Sequence, residues 1–388
     1  MGTIKKDQKE LILLSVLIIS FIVDAIHAIV VHYWPEKVLV YGVVSWSALP
    51  RGIFFVYLMF LYLKELLGEK RINKQLFFSF VFVAWVFYSL TKYSSLLEVG
   101  SFLVYIVKVI LPFLVYWYIS KIKELAGITK VIIFFFVIQS AVVFYSFLFE
   151  IELFKTYKGS QRFGYYGLMV AFNQLSFVYI TILYLLIFNC HKFIEKFNVY
   201  IIFIVVLASS FLGTKATWGS LFLLAVTVFV SQYPPKSIKI SFFLALFFSF
   251  FLIYLEKNGL NHFKDLYENK GAAYTVTSRR NLIFQDVFLP YIKNAQWDEL
   301  LFGGVKVKRY FVELDFLDIL SYGGIGMLLL YFYTLVRTMF NFKNFSFVNF
   351  MFILTFLVNG LFTGSSIVNG LNFVVLPLTC VVFQRKEK

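Results

Sequence analysis

The sequence predicts an all-α fold: a polytopic bundle of about twelve transmembrane helices that forms one domain over residues 1–388, with one long external loop. Of its residues, 60% are hydrophobic and only 15% are charged, whereas an ordinary soluble domain is about 25% charged. Many apolar runs approach the roughly 20 residues that a helix needs to cross a bilayer. Runs such as residues 238–255 lack the alternation of barrel strands, so helices are predicted.

The first apolar run follows Lys5, Lys6 and Lys9 but is too long for a signal peptide and has no small-residue cleavage site, so it is predicted to be a retained first helix. The predicted spans, in chain order, are residues 11–31, 45–63, 76–91, 96–119, 131–149, 165–188, 197–212, 216–232, 238–255, 314–336, 347–363 and 368–383.

The basic residues between these spans and at their ends are distributed unequally between the two sides of the membrane. With a cytoplasmic N-terminus, the inner segments hold 19 basic residues: Lys5, Lys6, Lys9, Lys64, Lys70, Arg71, Lys74, Lys121, Lys123, Lys130, Lys192, Lys196, Lys236, Lys239, Arg337, Lys343, Arg385, Lys386 and Lys388. The short outer loops hold six, namely Lys37, Lys92, Lys155, Lys158, Arg162 and Lys215. The positive-inside rule therefore predicts that both termini are cytoplasmic.

Residues 256–312 are predicted to form the long external loop, which carries nine basic and six acidic residues. Attraction to anionic lipid headgroups explains such an excess of positive charge. A phosphate-binding site explains it as well, because the arginine fork matches phosphate oxygens. Within the loop, Ser278–Tyr291 has an amphipathic pattern. We therefore expect part of the loop to be helical and to lie on the membrane.

A few ionisable residues lie inside predicted spans, where charge is costly. Asp24 and His27 share a helix face, so a mutually satisfied pair is expected. Arg51, beside Pro50, is expected to reach toward the membrane surface, and Lys108 to pair with Glu98 or Asp24. Each residue could instead line a functional cavity.

Three acids lie where the long loop re-enters the membrane: Glu313, Asp315 and Asp318. Acids in the first turn of a helix complement its dipole, which accounts for Glu313 and Asp315 without any further role. Alternatively, one of them is a general base beside a cationic phosphate clamp. Asp318 should lie a turn deeper. Cys190 and Cys380 indicate no metal site, and there is no Gly-rich P-loop, so we expect no metal, cofactor or nucleic-acid partner.

From about residue 160 to 326, the order of short motifs resembles the O-antigen polymerase and O-antigen ligase superfamily of membrane glycosyltransferases. The similar segments are Arg162 to Gly164 followed by Asn173, Ser209 to Lys215, Thr277 to Arg280, Leu301 to Gly304, and Gly324 to Gly326. The ligase branch carries a histidine after the Leu301 segment, where this chain has Glu313 and Asp315. The polymerase branch, of the capsular or exopolysaccharide type, is therefore favoured.

This resemblance implies a GT-C-like bundle in a bacterial inner membrane. It implies transfer of a growing glycan from undecaprenyl pyrophosphate to a lipid-linked repeat unit on the outer face, without a metal and with inversion. Arg280, Arg162 and Lys215, supported by Arg279, would bind the pyrophosphate, and Glu313, then Asp315, would be the base. The implied partners are the lipid-linked donor and acceptor, membrane lipid and a chain-length regulator protein.

Other readings of the sequence remain open. An O-antigen ligase belongs to the same superfamily. A flippase or transporter for lipid-linked oligosaccharides would also have about a dozen helices, although transporters often contain two related halves, and no such repeat is evident. A non-catalytic assembly partner is the third alternative.

Overall fold

A computed structural model describes residues 6–34, 39–40, 44–68, 85–92, 95–157, 163–169, 172–189, 198–255, 264–265, 267–269, 271, 274–275, 280–303, 314–343, 345–362 and 372–386. The first half contains helix α1 (Lys6–Tyr33), a hairpin of two-residue strands, β1 (Leu39–Val40) and β2 (Val44–Ser45), and α2 (Leu49–Gly68). Helices α3 (residues 85–90), α4 (Leu96–Ser120), α5 (Ala126–Leu148) and α6 (Phe172–Asn189) follow.

The second half begins with α7 (Asn198–Ser210), α8 (Lys215–Val230) and α9 (Lys236–Leu255). Arg280–Ile283, the π-helical Phe284–Phe288 and Leu289–Asn294 are consecutive and together form α10. Helices α11 (Trp297–Phe302), α12 (Asp315–Arg337), α13 (Phe347–Phe362) and α14 (Asn372–Lys386) complete the described chain.

The fold is a helical bundle. Among the residues that the structure describes, five helical segments are long and apolar enough to cross a membrane by length and composition alone: Gln8–Tyr33, Glu98–Ser120, Ala126–Leu148, Lys236–Tyr254 and Asp315–Arg337. Shorter apolar helices lie at Leu175–Phe188, Val199–Ser210, Lys215–Val230, Phe347–Leu361 and Asn372–Arg385. Large apolar side chains project outward from α1, α2 and α9, among them Ile53, Phe247 and Phe250. A hydrocarbon surrounding rather than water explains such an outer surface.

Helix α6 is at the centre of the bundle, because every residue from 175 to 188 is buried. It packs against α7, α8, α13 and α14, and α14 packs against α4 as well. The sequence pattern explains this position, since α6 is apolar around its whole circumference. It begins at Phe172, whereas the sequence predicted a span from residue 165. Residues 163–169 are instead an irregular segment in which Tyr165 bridges to Lys155.

Helix α12 is not one straight span, because it bends back sharply at Gly324 (φ 74°, ψ 179°). The ring centroids of Phe316 and Phe332 are 4.9 Å apart, although 16 residues of straight helix would separate them by about 24 Å. The arm Asp315–Gly323 therefore folds against the arm Ile325–Arg337. The second arm, about 20 Å long, is the part that leads toward the next helix. The predicted span 314–336 is therefore wrong in being continuous, because the chain reverses direction at Gly324.

The helix ends form two groups. The terminal end contains Lys9, Lys121 to Lys123, Thr338 and Gln384 to Arg385, where the Gln384 amide donates to the Thr338 carbonyl (2.8 Å) and the Arg385 guanidinium to the Lys123 carbonyl (2.8 Å). The motif end contains Lys92, residues 163–166 and 211–215, α11 and the bend of α12.

The ionisable residues inside the bundle pair differently from the expectation. Arg51 does not reach outward, because it is buried, forms an ion pair with Asp24 and lies 5.9 Å from the centre of the Phe373 ring. Asp24 therefore pairs across two helices rather than with His27. Nor does Lys108 pair with Glu98 or Asp24 among the described residues.

Candidate functional site

Two of the motif segments are joined backbone to backbone at Gly164 and Gly213. Both glycines have positive φ, and a Cβ atom would lie 2.6 Å from the Leu212 carbonyl at Gly164 and 2.1 Å from the Phe163 carbonyl at Gly213. The Tyr165 amide donates to the Phe211 carbonyl (2.8 Å). Glycine is required at both positions because a side chain at either one would push the two backbone segments apart.

Gly213 also shapes the turn from α7 to α8, which positions Lys215. Thr214 caps α8 by accepting a hydrogen bond from the Thr217 amide, and its hydroxyl is 2.6 Å from that of buried Ser176 on α6. Lys215 is the first residue of α8, and its ammonium donates to the Thr275 carbonyl. Thr275 precedes Arg280 by five residues, which fully extended span at most about 18 Å. Lys215 is therefore tied to the segment that leads to Arg280.

Two further motif segments, of the five, meet in a second glycine contact, between the end of α11 and the bend of α12. Cβ atoms built at Gly303 and Gly324 would each lie 2.2 Å from a carbonyl oxygen, that of Tyr322 and that of Leu301 respectively. The Trp85 indole donates to the Gly323 carbonyl (3.1 Å). The bend of α12 is therefore held by α11 on one side and by Trp85 of α3 on the other.

Helices α10 and α11 form an ordered part of the long loop, and the described residues agree with the helix predicted over Ser278–Tyr291. Arg280 begins α10 and is only 9% exposed. The Tyr291 hydroxyl donates to the Glu299 carbonyl (3.3 Å), which joins α10 to α11. Burial raises the pKa of Tyr291 to about 12, so the hydroxyl stays a donor at neutral pH.

An ion pair holds α11 to the end of α3. The Lys92 ammonium donates to the Asp298 carboxylate and lies 5.3 Å from the centre of the Tyr88 ring. The hydrogen bond from Lys92 lowers the pKa of Asp298, and the same bond raises the pKa of Lys92. The Phe302 ring packs against Tyr88 (4.6 Å) beside this pair.

The folded-back arm of α12 places Asp315 inside the bundle, 1% exposed. It lies within electrostatic range of Tyr105 and Lys108 on α4 and of Tyr331 on the second arm. The sequence placed Asp318 deeper than Asp315, but the order is reversed. The first arm runs outward from the interior, so Asp318 lies nearer to the bend at Gly324.

The structure thus describes three of the six predicted site residues, Asp315, Arg280 and Lys215. Glu313, Arg162 and Arg279 lie outside the described residues. The sequence alone did not select Tyr105, Tyr331 and Trp85, because aromatic residues are abundant throughout the chain and nothing in their local pattern distinguishes them. Among the described residues, no three His, Cys, Asp or Glu side chains are grouped so that they could hold a metal ion.

Comparisons with protein-family models, with curated proteins and with solved structures find no match to this chain.

Proposed function

We propose that this protein is a polysaccharide polymerase that transfers a growing glycan from undecaprenyl pyrophosphate to the sugar hydroxyl of a lipid-linked repeat unit. The observation that carries the proposal is the pairing of the motif segments by glycine contacts. Residues 163–166 lie on 211–214, and 301–303 lie on 322–324. These are segments on which the family resemblance rests, and they lie at one end of the bundle with Lys215 and Arg280.

The charges at this end suit the chemistry. As the acceptor hydroxyl oxygen bonds to the anomeric carbon, the bond from that carbon to the pyrophosphate oxygen breaks and negative charge grows on the leaving group. Preorganised cations stabilise such charge, and we assign this role to Arg280 and Lys215, with Arg162 and Arg279. The hydroxyl proton passes to a carboxylate, Glu313 or Asp315. Attack opposite the leaving group inverts the anomeric centre.

This function implies a topology in which the motif end faces outward. We propose twelve crossings in a GT-C-like bundle in a bacterial inner membrane, with both termini in the cytoplasm. The contacts of the terminal end support it, because Lys9, Lys121, Lys123 and Arg385 lie together there. These residues belong to the basic set that the positive-inside rule assigns to the cytoplasm.

The test uses purified full-length protein in lipid nanodiscs, supplied with an undecaprenyl-pyrophosphate-linked repeat unit and no nucleotide sugar. We expect products two or more repeat units long, with free undecaprenyl pyrophosphate released at each step. The Arg280→Ala variant is the matched control and should yield little polymer. Intact repeat units after prolonged incubation with a well-folded wild-type protein would overturn the proposal.

A second candidate function is transport or flipping of the lipid-linked oligosaccharide. It is favoured by the broken α12, because interrupted helices with buried charged groups are typical of transporter binding sites. A vesicle assay separates the two functions. A transporter moves the lipid-linked unit across the membrane without lengthening it, whereas a polymerase lengthens it in nanodiscs, where no second compartment exists. An O-antigen ligase would instead move the glycan to an acceptor that carries no undecaprenyl pyrophosphate.

A further inference from the structure

A groove runs between α1 and α2 on the outer surface of the bundle. It has a volume of about 470 Å³, which is typical of a small-molecule site, and all ten side chains that line it are apolar or aromatic. They include Ile12, Val16, Ile19 and Val23 on α1 and Ile53 and Tyr57 on α2. Ile19 and Ile53 are 50% and 72% exposed, so the groove opens sideways to the surroundings of the bundle. Its lining suits a hydrocarbon chain.

The length of the groove matches one half of a bilayer. Its lining on α1 extends from Ile12 to Val23, and this stretch of helix is about 16 Å long. The hydrocarbon core of a bilayer is about 30 Å thick. Ile12 lies one turn from Lys9 at the terminal end, so the groove reaches from that end to about the middle of the bundle. This is the extent of one phospholipid acyl chain in the leaflet on the terminal side.

Each of the two helices carries a lysine where the groove face reaches the terminal end. Lys9 precedes Val16 by seven residues, and Lys64 follows Tyr57 by seven residues. Residues seven apart lie on the same face of a helix, two turns from each other. Lys64 is exposed and Lys9 is partly exposed, and among the described residues neither forms an ion pair. Both ammonium groups are therefore placed to meet a lipid headgroup.

Contacts with α4 show that these two lysines lie at one level. The Tyr118 hydroxyl donates to the Lys9 carbonyl (3.1 Å), and Glu65, next to Lys64, pairs with Lys121. Tyr118 and Lys121 are separated by only about 4.5 Å along the axis of α4. Because Glu65 and Lys121 neutralise each other, the charge left at this end of the groove is positive.

The opposite end of the groove is different. Arg51 follows the lining residue Pro50, but its guanidinium is buried and ion paired with Asp24. An anionic headgroup there would have to displace a carboxylate from a buried pair, which is costly. The polyprenyl substrate of the proposed function would need its pyrophosphate at the motif end, with Arg280 and Lys215. The charges of the groove therefore favour a phospholipid over the substrate.

We propose that this groove is a specific site for an anionic phospholipid. One acyl chain lies between α1 and α2, and the headgroup phosphate lies between the ammonium groups of Lys9 and Lys64. Burial of the chain and attraction between lysine and phosphate both stabilise the bound lipid. The inference does not depend on glycan transfer, so failure of the proposed function leaves it standing.

The test is photocrosslinking of the full-length protein in phosphatidylcholine nanodiscs that contain a small fraction of phosphatidylglycerol with a diazirine in one acyl chain. Mass spectrometry quantifies adducts on residues 12–23 and 49–57. We expect adducts on both segments, and unlabelled phosphatidylglycerol should compete at least about fivefold better than added phosphatidylcholine. Each lysine removed should weaken labelling about fivefold, because a basic residue near the surface contributes about that factor toward anionic lipid.

The variants separate the headgroup from the chain. Lys9→Ala/Lys64→Ala should lose most of the adduct, and its fold should be intact because the contact from Tyr118 is to the main chain of Lys9. Lys123→Ala, at an exposed lysine of the same end, is its matched control and should label like wild type. Val16→Trp fills the groove and should abolish the adduct.

The control for the groove-filling variant is Ile240→Trp, at a position 59% exposed on α9, which should label like wild type. Unchanged labelling in Lys9→Ala/Lys64→Ala, or equal competition by phosphatidylcholine and phosphatidylglycerol, overturns the inference. Undecaprenyl phosphate is the third competitor. If it displaces the probe more effectively than phosphatidylglycerol does, the groove holds the polyprenyl chain of the substrate and the inference is also overturned.

Discussion

Asp315 and Asp318 are three residues apart on the same arm of α12, yet their positions suit different roles. Asp315 is at the inner end of the arm, and Asp318 lies a turn nearer the bend at Gly324. Loss of a general base costs about 100-fold to 10,000-fold in rate, whereas a helix-dipole charge contributes about 1 kcal/mol, or about fivefold. The size of the rate loss on substitution therefore distinguishes a general base from an acid that only complements the helix dipole.

We expect Glu313→Gln to abolish chain extension while the protein inserts and accumulates normally, with Asp315→Asn the next most damaging substitution. Asp318→Asn should mainly lower the midpoint of thermal unfolding. Chain-length profiles of lipid-linked glycan at matched expression measure the effects. Long chains from both Glu313→Gln and Asp315→Asn would show that neither acid is the base.

Arg280 should be required as an arginine and not only as a positive charge. A lysine ammonium cannot replace the two-pronged hydrogen bonding of the guanidinium to phosphate oxygens. Arg280→Lys and Arg280→Ala are therefore both expected to lose most of the polymerase activity in nanodiscs. Lys264→Ala is the matched control, since Lys264 is an exposed basic residue in the same loop and pairs, within the described part of that loop, with nearby Glu268. Wild-type polymer from Arg280→Ala would remove this residue from the site.

The contact between the end of α11 and the bend of α12 should leave no room for a side chain at either of its glycines. A Cβ atom at Gly303 or Gly324 would meet backbone at 2.2 Å, and both residues have positive φ. We expect Gly303→Ala and Gly324→Ala to destabilise the protein by about 1–3 kcal/mol or more. Thermal unfolding in detergent measures this effect. Gly219→Ala in α8, where a Cβ atom would meet no described atom within 4 Å beyond its chain neighbours and its own helix backbone, should be neutral or stabilising by about 0.5–1 kcal/mol.

The attachment of α11 to α3 should depend on pH through Lys92 and Asp298. The pKa of Asp298 is lowered from 3.8 by its hydrogen bond with Lys92. Its contribution to the stability of the attachment is therefore complete above pH 3.8 and is lost as the pH falls further. The pKa of Lys92 is raised from 10.5. Its contribution to the stability of the attachment is therefore complete below pH 10.5 and is lost as the pH rises further. The pair is therefore intact throughout the neutral range.

Hydrogen-exchange protection factors for residues 297–303 measure this attachment. At pH 7 we expect protection to be a few-fold lower in Lys92→Met than in wild type, as is usual for an exposed ion pair. The difference should disappear well below pH 3.8. A difference that persists unchanged in strong acid would mean that the Lys92 stem, packed on Tyr88, holds α11 and that the ion pair does not.

Helix α12 also shows where sequence reasoning reaches its limit. The bundle, most helix positions and the helix within residues 280–294 follow from hydropathy and periodicity, since those patterns are local. The fold-back at Gly324 does not, because residues 316–332 are apolar on both sides of the bend and read as one span. Similarly, Asp24 pairs with Arg51 rather than with His27 because the packing of α1 on α2 decides which side chains meet, and spacing along one helix does not.

At the scale of the whole molecule, the charges and the contacts point to the same arrangement. Glu65, in the last turn of α2, and Lys121, just after α4, form an ion pair, and the Tyr118 hydroxyl donates to the Lys9 carbonyl (3.1 Å). Segments that the charge rule places on one side of the membrane therefore meet in space. An odd number of crossings between any two of these segments would have kept them apart.

The topology itself is tested by cysteine accessibility in a background that carries Cys190→Ala and Cys380→Ala. Lys293→Cys lies in exposed α10 at the motif end, and Lys123→Cys lies exposed at the terminal end. Because basic residues are retained on the cytoplasmic side, a membrane-impermeant maleimide added to intact spheroplasts should label position 293 and leave position 123 unlabelled until the membrane is permeabilised. Labelling of position 123 without position 293 would reverse the orientation and place the motif end, with Arg280 and Lys215, in the cytoplasm. Lipid-linked repeat units on the outer face could not then be its substrate.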